Sequence, residues 1–307
     1  IFYKTIPFFA LIGLGYSAAI TRFFSAEATA YLTKFVFYFA LSAMLFRFSS
    51  DLSLSELYDP EFIYAYLSAS LIIYFLATAV AIFRKKVPSE AAVEAQCSVI
   101  GNVGFLGIPM LAILMGPKSV GFIMIILAID LIVFGSLIVL IIVASKDKKL
   151  DLFLFYRVLL GLMKNPMIVS IICGLLWSAS GWSIPGPIND FIVMLGSAAT
   201  PGALFAIGAS LAQKSTERFE VAAWLSFCKL VLHPFAVCIA VFYIFEVELY
   251  AATVMIAAAS LPVAGNIFMV AQHYNVAPKR ASAAIFLSTV LSIFTVSFTI
   301  AWVSNLH

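Results

Sequence analysis

Ser98-Val-Ile-Gly-Asn-Val-Gly-Phe-Leu-Gly-Ile-Pro109 is the stretch that decides the fold of this chain. It lies inside a long apolar segment, yet it carries three glycines, an asparagine and a proline. Glycine and proline weaken or break a helix, and irregular backbone persists at membrane depth only where protein or a water-filled cavity covers it. The stretch therefore predicts a membrane helix that is interrupted at a functional site.

A second interrupted stretch, Ser260-Leu-Pro-Val-Ala-Gly-Asn-Ile-Phe268, lies far downstream in another apolar segment. A pair of interrupted hydrophobic segments in corresponding halves of a chain is the best sequence pointer to the binding site of a secondary transporter. We therefore expect the substrate site to lie between these two broken helices.

The composition places the whole chain in a membrane. Of its 307 residues, 64% are hydrophobic and 11% are charged, whereas soluble domains have about 45–50% apolar and about 25% charged residues. The four cysteines have no CxxC or Cys/His metal spacing and are interpreted as packing residues. No catalytic motif is present, and we expect neither an enzyme nor a cofactor.

The apolar segments predict an all-α polytopic protein. A spanning helix needs about 20 apolar residues, and ten segments meet this requirement: about 2–20, 28–48, 62–83, 89–115, 119–145, 155–178, 188–212, 218–244, 248–275 and 279–304. These segments consume nearly the whole chain, so no soluble domain is expected.

An internal repeat divides the ten spans into two sets of five, residues 1–148 and residues 149–307. Pro117 opens the fifth span and Pro278 opens the tenth, at an offset of 161 residues. The same offset takes Gly101 to Pro262, so the two breaks fall at equivalent positions. An odd number of helices in each half gives the halves opposite orientations, which predicts a 5+5 inverted repeat.

Lysine and arginine residues in the connectors predict the orientation. Three basic residues lie on one side, whereas twelve lie on the other: Arg22, Arg84, Lys85, Lys86, Lys146, Lys148, Lys149, Arg157, Lys214, Arg218, Lys279 and Arg280. The richer side is expected to be cytoplasmic, which leaves both termini outside a cell (inner) membrane. This bias also explains the basic connectors without a nucleic-acid partner.

The motif Gly101-Asn-Val-Gly-Phe-Leu-Gly-Ile-Pro109 resembles the fourth-helix motif of the auxin efflux carrier family, which includes plant PIN-type carriers and bacterial relatives. Further stretches agree in order and spacing: Lys164-Asn-Pro166, Gly196-Ser-Ala-Ala-Thr-Pro-Gly-Ala-Leu-Phe-Ala-Ile-Gly208, His233-Pro234, Leu261-Pro262 and Ala271-Gln-His-Tyr-Asn275. Gly101 stands where the plant carriers have a proline, and their long central loop is missing. These departures indicate a compact microbial member and argue against auxin itself as the substrate.

The resemblance implies a sodium/proton-antiporter-like fold in which the fourth and ninth helices cross at their breaks. It also implies a homodimer, with helices 1, 2, 6 and 7 as a scaffold. Helices 3–5 and 8–10 would then form a transport unit that moves by an elevator mechanism. The resemblance also implies that Asn165 faces the substrate from the scaffold; the alternative is that Asn165-Pro166 only marks the start of a helix.

Polar residues at the breaks are the predicted substrate ligands. Asn102 follows Gly101, and its amide offers two donors and one acceptor. Asn266 stands four residues past Pro262 in the ninth span, and Gly101 and Pro262, at the breaks themselves, are also predicted to line the substrate site. Half-helix N-termini carry a partial positive charge that suits a carboxylate. The alternative is that Asn102 only caps free backbone groups at the break.

Asp130, the one acid that we place deep in a predicted span, is a candidate for proton coupling, since an intramembrane acid is functional by default. Lys229 is its candidate partner in a fixed structural pair, which is the alternative interpretation. His233 lies four residues beyond Lys229 and is expected either to join a proton relay or to bond a backbone carbonyl.

The sequence thus predicts a secondary active transporter that moves a small organic anion, such as an auxin-like or dicarboxylic acid, in the efflux direction. One alternative is a sodium-coupled symporter of related fold, although no acid stands beside either break in the sequence. The other is a membrane ligand sensor that does not transport.

Overall fold

The computed structural model describes residues 2–51, 59–147, 160, 166–212 and 219–306. Within these ranges the chain is helical, and the only β-type pairing is an isolated antiparallel bridge between Gly101 and Val263. The predicted boundary between the halves, at residue 148, and the predicted ligand Asn165 lie outside the described residues.

The described chain forms these helices: α1 Phe2–Ile20, α2 Ala26–Ser50, α3 Pro60–Phe83, α4 Pro88–Val99, α5 Val103–Met115, α6 Ser119–Ser145, α7 Pro166–Ser180, α8 Gly186–Leu211, α9 Phe219–Ile244, α10 Leu249–Ala259, α11 Asn266–His273 and α12 Pro278–Val303. Six of them are long and apolar enough to cross a membrane. The pairs α4–α5 and α10–α11 correspond to the fourth and ninth predicted spans.

Helix starts follow ordinary capping chemistry. The Ser25 side chain accepts a hydrogen bond from the Ala28 N–H at the start of α2, and Asp59 accepts one from the Phe62 N–H at the start of α3. Proline opens α3, α4 and α12, where the missing N–H would have no partner in any case. The polar connectors therefore fix where each helix begins.

The outer surface is apolar, as a surface that faces lipid must be. Large exposed hydrophobic side chains project from several helices: Phe75, Phe83, Phe235, Tyr243, Phe294 and Phe298. An exposed surface of this kind is not compatible with water as the only solvent. The protein is a multi-pass helical membrane protein.

The helices pack most extensively within two groups. In the first group, α1 packs on α8, and α2 packs on both α7 and α8. In the second group, α3 packs on α4 and α9, α4 and α10 pack on α6, and α9 packs on α12. The 5+5 repeat and the division into scaffold and transport unit stay predictions.

Two glycines allow α1 and α8 to touch backbone to backbone. A methyl group added at Gly15 would overlap the Phe205 carbonyl oxygen, and one added at Gly208 would overlap the Ile12 carbonyl oxygen. Small residues at helix interfaces in membranes serve this purpose. The first group of helices is therefore held together by a contact that admits no side chain.

We predict that Gly15→Ala lowers the free energy of unfolding by about 1–3 kcal/mol, because overpacking forces the backbones apart. The measurement is denaturant unfolding of the protein in detergent micelles. The matched control is Gly13→Ala on the same helix, where an added methyl group meets nothing within 4 Å. Equal stability of the two variants would contradict the close contact.

Candidate functional site

The two broken helices hydrogen-bond to each other where they cross. The Asn102 N–H donates to the Pro262 carbonyl at 2.8 Å, and the Ala264 N–H donates to the Ile100 carbonyl at 3.1 Å. The Val263 N–H donates to the Ser288 hydroxyl of α12 at 3.1 Å. Each break therefore supplies partners for backbone groups that the other break leaves free, which is what hydrocarbon requires.

Four helix ends meet at this crossing. The C-terminal ends of α4 and α10 carry partial negative charge, and the N-terminal ends of α5 and α11 carry partial positive charge. The Lys229 ammonium, which is completely buried, donates a hydrogen bond to the Ala259 carbonyl at the end of α10. A cation thus lies at one of the negative helix ends.

Gly101 makes room for Lys229. A methyl group on Gly101 would come within 3.3 Å of Lys229 Cε, 3.4 Å of the Ala258 carbonyl oxygen and 3.4 Å of Leu261 Cβ. Gly101 lets the Lys229 side chain approach closely, and the Pro262 carbonyl accepts the hydrogen bond from the Asn102 N–H. Both predicted binding residues therefore have a structural role at the crossing.

Asn102 and Asn266 stand at the positive helix ends. Asn102 precedes α5, is 5% exposed, and its side chain makes no capping hydrogen bond. Asn266 is the first residue of α11, and its Oδ1 is buried without a hydrogen-bond partner. Capping, the alternative for Asn102, therefore has no hydrogen bond to support it.

A cavity of about 430 Å³ reaches from these asparagines to α2 and α8. Its volume lies within the range of about 300–1,000 Å³ that is typical of small-molecule sites. The polar lining side chains are Thr29, Thr33, Lys34, Tyr38, Asn102, Ser210, Asn266 and Gln272. Lys34 is the one charged residue among the described lining residues. No sequence pattern marks Lys34 or Gln272 as a site residue.

Asp130 lies on the other side of the same asparagines. It is 3% exposed and lines a small void of about 20 Å³ together with Gly101, Asn102 and Asn266. The sequence places no acid beside either break, and the structure corrects this expectation, because α6 brings Asp130 there. One carboxylate oxygen accepts a hydrogen bond from the Tyr66 hydroxyl at 2.8 Å, and the other, Oδ2, has no hydrogen-bond partner among the described residues.

Asp130 and Lys229 attract each other electrostatically but do not form a direct salt bridge within the described chain. Lys229 Nζ instead lies 3.1 Å from His233 Nδ1, and His233 Nε2 lies 2.9 Å from the Ser70 hydroxyl. Asp130 and Lys229 each lie in a π-helical turn, Asp130–Phe134 and Cys228–Leu232 respectively. Such turns are frequent at functional sites. The fixed Asp130–Lys229 pair, which is the alternative to proton coupling, stays a prediction, and polar side chains lie between the two residues.

A second buried charged cluster lies apart from the crossing. Glu94 of α4 is completely buried and pairs with Arg84 and with Arg280, the latter at 2.8 Å. Arg280 also lies 3.3 Å from Glu90. Glu94 is thus a second buried acid within a predicted span, in addition to Asp130. Of its two basic partners, Arg280 is 186 residues away in the sequence.

We predict that Arg280→Met destabilises the protein by on the order of 3 kcal/mol, because it removes one partner of a buried carboxylate. The measurement is the free energy of unfolding in detergent micelles. The matched comparison is the double variant Glu94→Gln with Arg280→Met, which removes the buried charge as well. If the double variant lost stability equal to the sum of the two single losses, the predicted coupling would be absent.

A polytopic helical protein whose two broken helices exchange backbone bonds beside a cavity with both apolar and polar lining residues has the features of a membrane transporter. The model of the family described as "Membrane transport protein" matches residues 1–300, and the chain belongs to this family, the auxin efflux carrier family that the motifs predicted. A "Putative malonate transporter" of Rhizobium meliloti (strain 1021) is 29% identical over 295 residues, which cover 95% of this chain and 92% of that protein.

Proposed function

We propose that this protein is a secondary active carrier of small organic anions and that it binds its substrate at Asn102 and Asn266. One observation carries the proposal. Two asparagine side chains stand at the positive ends of half-helices and face a cavity of about 430 Å³, and one of them makes no capping bond. Charge-assisted hydrogen bonds from such amides, together with the helix ends, suit a carboxylate.

The substrate that we favour is a dicarboxylate. The relative from Rhizobium meliloti is named for malonate, and Lys34 gives the same cavity a cation for a second carboxylate. Phe37, Phe105 and Phe268 also line the cavity, so an aromatic acid of the auxin type is the competing substrate class. Asn165, which lies outside the described residues, is proposed as a further ligand.

Transport is proposed to follow an elevator mechanism in a homodimer. The whole chain would form a 5+5 inverted repeat. Within it, the first packing group, α1, α2, α7 and α8, would be the scaffold, and the remaining helices would carry the crossing across the membrane. The denser packing within each group than between them supports this division. The basic connectors support a cytoplasmic face in the inner membrane with both termini outside.

Efflux is the proposed direction, because an inside-negative membrane potential drives an anion outward by about 2.3 kcal/mol per charge per 100 mV. Asp130, Lys229 and His233 are proposed to couple transport to protons. Their complete or nearly complete burial beside the substrate site supports this role.

A sodium-coupled carrier is the second candidate, and the position of Asp130 favours it. A carboxylate oxygen without a hydrogen-bond partner lies beside two asparagines and the carbonyls of the broken helices, and such oxygens are the ligands that hard cations prefer. A sensor that binds an anion without transporting it remains the third, because binding and transport would use the same asparagines.

Counterflow in proteoliposomes tests these functions. Vesicles loaded with malonate are offered labelled malonate or a labelled aromatic acid, with and without sodium, at two pH values. We expect uptake of labelled malonate without sodium. A strict sodium requirement would favour the second candidate, and anion binding without any flux would favour the sensor.

We predict that Asn102→Ala weakens malonate binding roughly ten- to a hundredfold, because a hydrogen bond to a charged group contributes about 1.5–3 kcal/mol. Binding to the purified protein is measured by calorimetry, and flux by counterflow. The control is Asn305→Ala, since Asn305 is exposed beyond the end of α12. Unchanged affinity in Asn102→Ala would remove this residue from the site.

A further inference from the structure

Five buried polar side chains lead from Lys229 to Asp130. Lys229 Nζ lies 3.1 Å from His233 Nδ1, His233 Nε2 lies 2.9 Å from Ser70 Oγ, and the Tyr66 hydroxyl donates to Asp130 at 2.8 Å. Ser70 lies one turn from Tyr66 on α3, and the Tyr66 ring packs edge-on against the His233 ring with 5.8 Å between the centroids, so Tyr66 and Ser70 both border the same imidazole. The chain connects α9, α3 and α6, and each member is at most 3% exposed.

The chemistry of the groups gives the chain one direction. An ammonium has only donors, so His233 Nδ1 accepts from Lys229. The neutral imidazole then carries its proton on Nε2 and donates to Ser70. The Ser70 proton is then available to Tyr66, one turn away on the same helix, and Tyr66 donates to the carboxylate of Asp130. All donors therefore point from Lys229 toward Asp130.

Other ionisable groups on the packed helices stay outside the chain. Those on the described residues are Glu61, Tyr64 and Tyr74 on α3, Arg84, Lys85 and Lys86 after it, Glu90, Glu94 and Cys97 on α4, Glu220, Cys228, Cys238 and Tyr243 on α9, Tyr250 on α10, and Lys279 and Arg280 on α12. Glu94 pairs with both Arg84 and Arg280, and Tyr250 donates to the Met115 carbonyl. The buried hydroxyl of Tyr74 has no hydrogen-bond partner among the described residues.

A bound anion and the Asp130 carboxylate would share the same positive helix ends. Asn102, Phe105, Gly265 and Asn266 line both the large cavity and the small void that Asp130 lines. Two negative charges that border the same residues repel each other, and protonation of one of them relieves the repulsion. An anion at the crossing therefore needs a proton on Asp130.

We propose that this proton comes from Lys229 through His233, Ser70 and Tyr66, so that anion binding converts the buried ion pair into two neutral groups. The inference rests on the carrier function proposed above, and it adds Tyr66 and Ser70 as positioning residues that the sequence did not indicate. Moving two buried neutral groups through the membrane costs less free energy than moving two buried charged groups.

The transfer balances along the chain. Lys229 loses an N–H proton to His233 Nδ1, and His233 gives its Nε2 proton to Ser70. Ser70 passes its original proton to Tyr66, and Tyr66 passes its own to Asp130. One proton moves in total, the imidazole changes tautomer, and the net charge of the five residues stays the same.

The test uses the full chain in lipid nanodiscs and isotope-labelled malonate. Infrared difference spectroscopy follows the protonated carboxyl of Asp130, which is assigned by its loss in Asp130→Asn, while a pH indicator counts protons taken from solution. In the wild type we expect malonate binding to protonate Asp130 with no net proton uptake at this step, so the proton coupling proposed above exchanges its proton with solution in a later step of the transport cycle. In Tyr66→Phe and Ser70→Ala we expect protonation only with uptake of about one proton per malonate.

The chain offers matched controls on the same helix. Tyr74 is equally buried, but its hydroxyl has no hydrogen-bond partner, and the Ser68 hydroxyl donates only to the Ala65 carbonyl. Tyr74→Phe and Ser68→Ala should behave as the wild type. Uptake of one proton per malonate in the wild type, or malonate binding without protonation of Asp130, would overturn the proposal.

A ligand-free experiment separates this inference from the carrier function. A temperature jump shifts the equilibrium between the charged and neutral pairs, and the infrared band reports its relaxation. Loss of a proton-transferring group slows such steps about a hundredfold or more, so Ser70→Ala should relax that much more slowly than Ser68→Ala. Equal relaxation rates would refute the chain, even if malonate does not bind. Failure of malonate binding with slowed relaxation in Ser70→Ala would count against the proposed substrate alone.

Discussion

The structure depends on the backbone hydrogen bonds that the two breaks exchange. Without the pairing of Asn102 with Pro262 and of Ala264 with Ile100, both breaks would present unpaired peptide groups in hydrocarbon. That pairing fixes where the four helix ends meet, and hence where partial positive and negative charges concentrate. The cavity, the two asparagines and the buried ionic residues are all arranged around this one contact.

The charges near the crossing follow from the helix ends. Lys229 lies at a carbonyl end, whereas Asp130 lies beside the amide ends of α5 and α11. An anion at the amide ends competes with the Asp130 carboxylate for the same positive helix ends. Substrate binding and the protonation state of Asp130 therefore affect each other. The π-helical turns that carry Asp130 and Lys229 aim both side chains inward.

The sequence predicted the breaks because glycine, proline and asparagine are conspicuous in an apolar background, and the offset between the repeats came within one residue of the observed pair Gly101 and Val263. It singled out Asp130, Lys229 and His233 because charge is rare there. It did not predict Tyr66, Ser70 or Lys34. A span that is apolar on all sides carries no pattern that tells which face turns inward, and Glu94 meets Arg280 across 186 residues.

The crossing also has a consequence for biogenesis. The partners of Ile100 and Asn102 are encoded about 160 residues later, so a growing chain holds its first break open while the rest is made. At about 5–20 residues per second, this interval is on the order of ten seconds. During it, the unfinished break must be shielded by water, by lipid headgroups or by the insertion machinery, because the backbone groups that pair with it in the finished protein belong to the second half.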